Sequence, residues 1–394
     1  MRKDTQEYSM NVQTLVDNRE RIIRGLYPGI NGDVIPIDIT LMEDSGNPAS
    51  DHLLVRSKVG DQETPFNARR YRTRPKLYAG ALEPFEKDYR AYDFLKSAGI
   101  GNIPQCLKLE DLPGWLFLTH IEGLPLSKVI AGLTSSKAVL DSFNRACDVY
   151  SEFQHKATMQ ADKLSDDERK ILFHSRSLED QSKNYLISLS GQRGLSKIPL
   201  DLYIGLLARD LEGVCVDHGD LSFNNILQEN GTGKLFVIDP ELKRRNEFAG
   251  LGSLLAYSGN YENLWDGLAE RYKLRKIKLK VEQENGQVNV GLIRSLFNAQ
   301  PFSLTNEGKK TAQREIRSNI IHYSIRKIAK RIADGEEDYK LQQKNIERVL
   351  LSFERQPEKF DLDEKQTKMA RELLGFFEEE QPTDIDLQAV QEDS

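Results

Sequence analysis

The sequence is poor in cysteine and has no long apolar run. Cys106, Cys147 and Cys215 are its only cysteines, odd in number and far apart. That excludes a disulfide framework and points to a reducing compartment. No stretch approaches the roughly 20 apolar residues that a membrane span needs. The opening MRKDTQEYSMN has none of the apolar core of a signal peptide. The expectation is a cytoplasmic protein with no membrane span. Six scattered histidines include no pair at zinc-ligand spacing with cysteine. Positive charge is not in excess: Lys and Arg total 55 against 61 Asp and Glu, a formal net charge of −6. There is therefore no clear nucleic-acid signal. Internal repeats and low-complexity segments are absent too.

What is present suits a water-exposed globular chain. Its 394 residues are 39% hydrophobic and 29% charged, enough for one large two-lobed domain or two ordinary ones. The stretch Val216–Glu241, VDHGDLSFNNILQENGTGKLFVIDPE, organises the rest. It reads as a loop followed by a β-hairpin. Ile226-Leu227 and Leu235-Phe236-Val237-Ile238 are short apolar runs, and Asn230-Gly231 between them tolerates the positive φ of a turn. A hairpin brings its two ends together. Asp220 and Asn225, ahead of the first strand, should therefore lie near Asp239, after the second. Two carboxylates and a carboxamide supply oxygen ligands of the kind a hard cation such as Mg²⁺ takes.

The residues His218-Gly219-Asp220-Leu221, Asn225-Ile226-Leu227 and Ile238-Asp239 with Glu241 resemble the HGDLxxxNIL…IDxE pattern of the protein-kinase-like fold. The form is that of aminoglycoside phosphotransferases, choline kinases and related sugar kinases. The resemblance implies an α+β fold of two lobes, a small antiparallel-sheet N-lobe and a larger helical C-lobe. It also implies ATP and Mg²⁺ as cofactors. Asp220 would accept the proton of the attacking hydroxyl, and Asn225 and Asp239 would hold Mg²⁺ on the nucleotide phosphates. The alternative to all of this is a buried hairpin with polar ends.

Upstream, the pattern continues as an N-lobe. Residues 1–33 form an N-terminal extension with helical periodicity at Val12, Leu15, Val16, Ile22, Ile23 and Leu26, ended by Pro28-Gly29. Strands are expected at Val34–Leu41, His52–Arg56 and Phe66–Arg72. The turn Ser45-Gly46-Asn47 has one glycine where the family has a glycine-rich phosphate loop. The third strand should carry a phosphate-binding lysine and has none. Arg70, two residues after Ala68, takes that place by alternation. Arg69 is the register alternative, and Arg56, Lys58 and Lys76 compete if the strand lies elsewhere. Glu83–Ala98 is a helix with Pro84 in its first turn and Gly99 as its stop. The resemblance makes Asp88 on it, with Glu86 nearby, the acidic partner of that strand cation. Trp115–Gly123 reads as a buried strand ending at a glycine and resembles the family's hinge strand, where backbone groups of His120, Ile121 and Glu122 would meet an adenine edge. The N-lobe and hinge span 34–123.

The C-lobe is expected over 124–300. Ser135–Gln160 is a long helix with apolar residues at three- and four-residue steps. About sixty residues separate its end, Phe153-Gln154-His155, from the HGD loop. A helical insertion at about 156–213, patterned at Ser165–Leu189 and Leu200–Glu212, is a trait of the small-molecule kinases, where it helps to build the acceptor site. After Asp239 there is no activation segment, and Gly250-Leu251-Gly252-Ser253 stands where relatives place an acidic anchor for the catalytic loop. Lys276–Ile293 reads as a second hairpin: Ile277, Leu279 and Val281 alternate with lysines, and Asn285-Gly286 makes the turn. C-terminal helices follow at 301–377, at Thr311–Asp334, Tyr339–Glu354 and Lys365–Glu380, and then an acidic tail at 378–394.

The reading is an ATP- and Mg²⁺-dependent phosphotransferase whose partner is a small-molecule hydroxyl acceptor, a sugar or an amino alcohol. The alternatives are an atypical protein kinase, or a catalytically weak nucleotide-binding scaffold in which the missing lysine and glycine loop mark lost activity.

Overall fold

The computed structural model describes residues 2–41, 50–71, 84–173, 200–211, 215–256, 262–284, 304–333 and 339–378. Helix α1 (Arg2–Leu26) leads into strands β1 (Val34–Leu41), β2 (Ser50–Val59), β3 (Gln62–Glu63) and β4 (Phe66–Tyr71). Helix α2 (Pro84–Ser97) and strands β5 (Cys106–Leu107), β6 (Trp115–Thr119) and β7 (Gly123–Pro125) follow. Helices α3 (Leu126–Ala131), α4 (Ser136–Ala161), α5 (Asp166–Leu172) and α6 (Leu200–Leu211) precede strand β8 (Cys215–Asp217). A 3₁₀ turn at Phe223–Asn225 opens the hairpin β9 (Ile226–Glu229) and β10 (Leu235–Val237), and β11 (Lys243–Arg245) comes next. The chain closes with helices α7 (Ala249–Ala256), α8 (Trp265–Glu284), α9 (Asn306–Ala333), α10 (Lys340–Arg355) and α11 (Glu364–Glu378). The expected Ser45-Gly46-Asn47 turn, Lys76, residues 174–199 of the insertion, and the tail beyond 378 lie outside the described residues.

The chain divides into two compact units. The first comprises 1–129, 159–172 and 225–242. Among its described residues an antiparallel sheet runs in the order β1-β2-β4-β6-β5, with β3 on β2. Helix α1 covers one face of that sheet. Leu15, Ile22, Ile23 and Leu26 fall on one helical stripe and are buried against Leu53, Val55, Phe66, Ala68, Trp115 and Phe117. Each fully buried Leu or Ile contributes about 1.5–3 kcal/mol. The N-terminal extension is thus part of the core of this unit. A second small sheet, β10-β9-β7, holds the hairpin. Gly123 is required there, since a Cβ would strike the backbone carbonyl of Gln228.

The second unit comprises 130–158, 173–224 and 243–394. Its described residues are mainly helical, with a short ladder of β8 on β11. Helix α9 is its central strut and packs on α6, α7, α8 and α10. Tyr203 of α6 meets His322 of α9, hydroxyl to Nδ1, at 2.8 Å. Cys147 is fully buried here, and burial pushes its thiol up to about 12.

The expected hairpin at Lys276–Ile293 does not form as read. Residues 276–284 are the last turns of α8, and 285–293 lie outside the described residues. Trp265, Leu268, Ala269 and Tyr272 are buried at i, i+3, i+4 and i+7 and commit the segment to a helix before the alternating stretch begins. The Lys, Leu, Glu and Gln that follow are good helix formers. Lys276 serves α4, donating to Gln154 Oε1 at 3.0 Å.

Candidate active site

The hairpin forms with Val237 opposite Ile226. One step beyond, the Ile238 N–H donates to the Asn225 carbonyl at 3.0 Å, so the open end sets Asn225 beside Asp239. Asp239 has a φ of 54°, in the left-handed region. Aspartate is among the residues that tolerate this best. The following Pro240 narrows its conformational choice further. Surrounding contacts hold it there: the Asp239 N–H donates to the Tyr92 hydroxyl at 3.2 Å, and its carboxylate pairs with Arg69. Backbone held in a sparsely populated region clusters at functional sites.

Of the two arginines that the sequence offers, Arg69 is the one beside Asp239. Ala68 lies in the core beneath α1, and Arg70 alternates with it onto that same face, its guanidinium 5.8 Å from the Trp115 ring centroid. Arg69 points to the other side, where its side chain is 14% exposed and meets Asp239. Alternation puts Arg70 with Ala68, on the face that α1 covers. Arg56 is exposed on β2. Burial opposes the charge of Arg69 most strongly, but Asp239, Tyr92 and Tyr71 outweigh it and raise its pKa. Asp88 is drawn into the same cluster through Tyr71, whose hydroxyl donates to it at 2.5 Å. Burial raises the Asp88 carboxyl, against the lowering influence of Tyr71 and Arg69. Glu86 instead pairs with Arg90 and Lys108.

In the hinge segment, the His120 N–H donates to the Pro65 carbonyl at 3.2 Å and its ring meets Asn67 Oδ1 at 3.2 Å. Glu122 gives its carbonyl to the Asn230 N–H at 2.8 Å. Ile121 is half-buried between them.

In the second unit, Asp220 follows a tightly supported turn. Gly219 has a φ of 87° and tolerates it because it lacks a Cβ. His218 is fully buried against Phe153, and its Nδ1 accepts the Asp220 N–H at 3.4 Å. The missing acidic anchor is supplied from within the loop's own strand. Asp217 is buried and accepts from the Tyr150 hydroxyl at 2.5 Å and the Gly219 N–H at 3.0 Å, with Arg245 at 3.7 Å. Gly250 closes this network: its N–H donates to the Tyr150 hydroxyl at 3.1 Å, and a Cβ there would collide with Tyr150 and Asp217. Asp217, Tyr150 and Arg245 were not legible as a group in the sequence. The one available signal was Asp217, an acid inside an apolar strand.

Gly250→Ala is therefore expected to lower stability by about 1–3 kcal/mol, because stacked Tyr150 cannot yield. Gly267→Ala, whose Cβ would meet nothing within 4 Å, should be neutral or stabilise by up to about 1 kcal/mol. Urea unfolding of the two variants checks this; equal midpoints would contradict it.

Among the described residues no group of three or more His, Cys, Asp or Glu is placed to hold a metal, and no helix is long and apolar enough to cross a membrane.

No protein-family model matches the chain, and no curated protein sequence matches it. Solved structures do. A choline kinase from Cryptosporidium parvum Iowa II superposes with a TM-score of 0.55 at 14% identity, covering 92% of this chain and 99% of that one. A Plasmodium vivax ethanolamine kinase gives 0.45 at 11% identity, over 80% and 83% of the two chains. An aminoglycoside phosphotransferase from Alicyclobacillus acidocaldarius gives 0.39 at 13%, over 87% and 94%. With its antiparallel sheet in one unit and its helices in the other, the protein has the α+β protein-kinase-like fold that the choline kinase shares.

Proposed function

We propose that the chain is an ATP- and Mg²⁺-dependent phosphotransferase acting on a hydroxyl of a small molecule. The observation that carries this is the end of the hairpin. There Asn225 and Asp239 stand together, Asp239 is held in left-handed backbone, and Arg69 lies against its carboxylate. One carboxylate and one carboxamide fit Mg²⁺, which takes few protein ligands and completes its shell with phosphate oxygens and water. The Asp239 side chain is 41% exposed, so it can be reached. When bound, Mg²⁺ neutralises charge on the β- and γ-phosphates. Arg69 would stand in for the usual lysine. Its buried Nε–H has no hydrogen-bond partner among the described residues, which leaves donor capacity beside Asp239. Tyr71 and Asp88, bonded to each other, interact electrostatically with it.

In the step assigned to Asp220, the acceptor hydroxyl oxygen attacks the γ-phosphorus and its proton passes to the carboxylate. The bond from phosphorus to the bridging oxygen breaks, and ADP leaves. Positioning and charge neutralisation dominate this chemistry. For the adenine edge we assign the His120 carbonyl and the Glu122 N–H, with Ile121 between, because the His120 N–H and Glu122 carbonyl are already engaged. A small acceptor is favoured over a protein substrate by the short link after Asp239. It is taken up by β11, paired to β8, and runs directly into α7.

A thermal-shift series with ATP, with and without Mg²⁺, tests the nucleotide site. Saturating ATP with Mg²⁺ should stabilise the protein by about 2.7 kcal/mol at one hundred times Kd. Stabilisation that ignores Mg²⁺ would favour a scaffold. Arg69→Ala should weaken ATP binding at least about tenfold, the cost of one charge-assisted phosphate contact. Arg70→Ala should change it by less than about twofold. Titration calorimetry reads both, and the reverse order would contradict the assignment.

A further inference from the structure

We propose that Arg326 is a positioning residue for phosphoryl transfer, reaching from α9 to hold the Asp220 carboxylate and the peptide before it in a single orientation. The inference rests on the phosphotransferase reading above. Arg326 donates to the Gly219 carbonyl at 3.2 Å and lies 3.5 Å from Asp220 Oδ1. Arg245 donates to the same carbonyl at 3.3 Å. Tyr323, one turn before Arg326 on α9, is the shared platform: both guanidinium groups lie over its ring, at 6.0 Å and 5.3 Å, and its hydroxyl takes the Arg245 donor.

The division of labour follows from burial. Arg326 is 19% exposed and fixed by the carbonyl, whereas Asp220 is 38% exposed at the tip of the turn. A planar guanidinium that bridges a residue's side chain and its preceding carbonyl removes rotational freedom from that side chain. At 3.5 Å the contact is an ion pair rather than a tight hydrogen bond. The contact sets the direction of the carboxylate without a short hydrogen bond to the guanidinium. Small errors in such a direction are costly, since a misplacement of about 1 Å can lose about 10²-fold in rate. Arg245 is tied to Asp217 and Tyr323 and belongs to the turn's support. Arg326 lies against the Asp220 carboxylate.

The test is a double-mutant cycle on ADP release from ATP with Mg²⁺, with water or an added alcohol as acceptor. Arg326→Gln should lower kcat about tenfold or more with KM for ATP within about twofold, and Arg326→Lys should recover part of the loss. In an Asp220→Asn background, Arg326→Gln should change kcat by less than about twofold, because the group it positions is gone. Equal losses in both backgrounds would overturn the proposal and leave Arg326 a stability residue. If Arg326→Gln does not fold, Arg326→Lys carries the same cycle. A urea-unfolding cycle on the same variants is read in parallel and needs no catalysis. Non-additive midpoints support the Arg326–Asp220 link, and additive ones overturn it. If the unchanged protein releases no ADP, the phosphotransferase reading itself fails, and the unfolding cycle alone still judges the pair.

Discussion

Asp220→Asn is expected to lower kcat by about 10²–10⁴-fold, the range that a positioned proton acceptor contributes. The fold should survive the change. Asp220 sits half-exposed on a turn whose shape is set by others: buried His218, Asp217 bonded to Tyr150 and the Gly219 N–H, and Gly219 at positive φ. Losing the carboxylate removes one partner of Arg326, which still donates to the Gly219 carbonyl. A partly exposed ion pair of this kind contributes about 1 kcal/mol or less. The melting temperature should accordingly shift by no more than a few degrees. Kinetics within threefold of the unchanged protein, at an unchanged melting point, would remove Asp220 from the mechanism.

Asp239 should behave differently, because it supports structure as well as chemistry. Asp239→Ala and Asp239→Asn should both lose Mg²⁺-dependent turnover by about 10³-fold, as expected when several kcal/mol of charge stabilisation goes. Only the alanine variant should also be clearly destabilised. It leaves Arg69, 14% exposed, without its carboxylate. Stranding one charge of a buried pair costs about 3–5 kcal/mol. The 41% exposure of Asp239 discounts that to about 1–3 kcal/mol by solvent screening. Alanine is also a poorer occupant of a φ of 54° than Asp or Asn. Asparagine keeps an oxygen for Arg69 and tolerates the backbone. Calorimetric melting of both variants beside their rates separates the two roles. Full Mg²⁺-dependent activity in Asp239→Asn would refute the metal assignment.

Local pattern and long-range packing divide what the sequence carries. The hairpin was legible because two apolar runs flank Asn230-Gly231, and local pattern decides a hairpin. Helix α2 and strands β1, β2, β4 and β6 were legible for the same reason. The choice between Arg69 and Arg70 was not local. It depends on which face of β4 is covered, and α1 decides that by docking its Leu15, Ile22, Ile23 and Leu26 stripe onto Phe66 and Ala68. The stripe is visible in the sequence but its docking partner is not, so the sequence alone leaves both arginines open. Lys276–Glu284 failed through competition between periods. An alternating run inherited the helix started by Trp265 and Tyr272. The support of the HGD loop by Arg245, Tyr150 and Arg326 joins segments far apart in the chain. No spacing rule reaches that far, and α9 was left outside the kinase resemblance although it supplies Arg326.

The most direct measurement of the central claim is ³¹P NMR of ATP incubated with the protein, Mg²⁺ and a panel of small alcohols and sugars. The account predicts that the ATP γ-phosphate signal falls as ADP and a new phosphomonoester signal rise together, that EDTA stops the conversion, and that Asp220→Asn slows it by orders of magnitude. ATP left unchanged across the panel, or conversion that persists undiminished in EDTA or in Asp220→Asn, would contradict it.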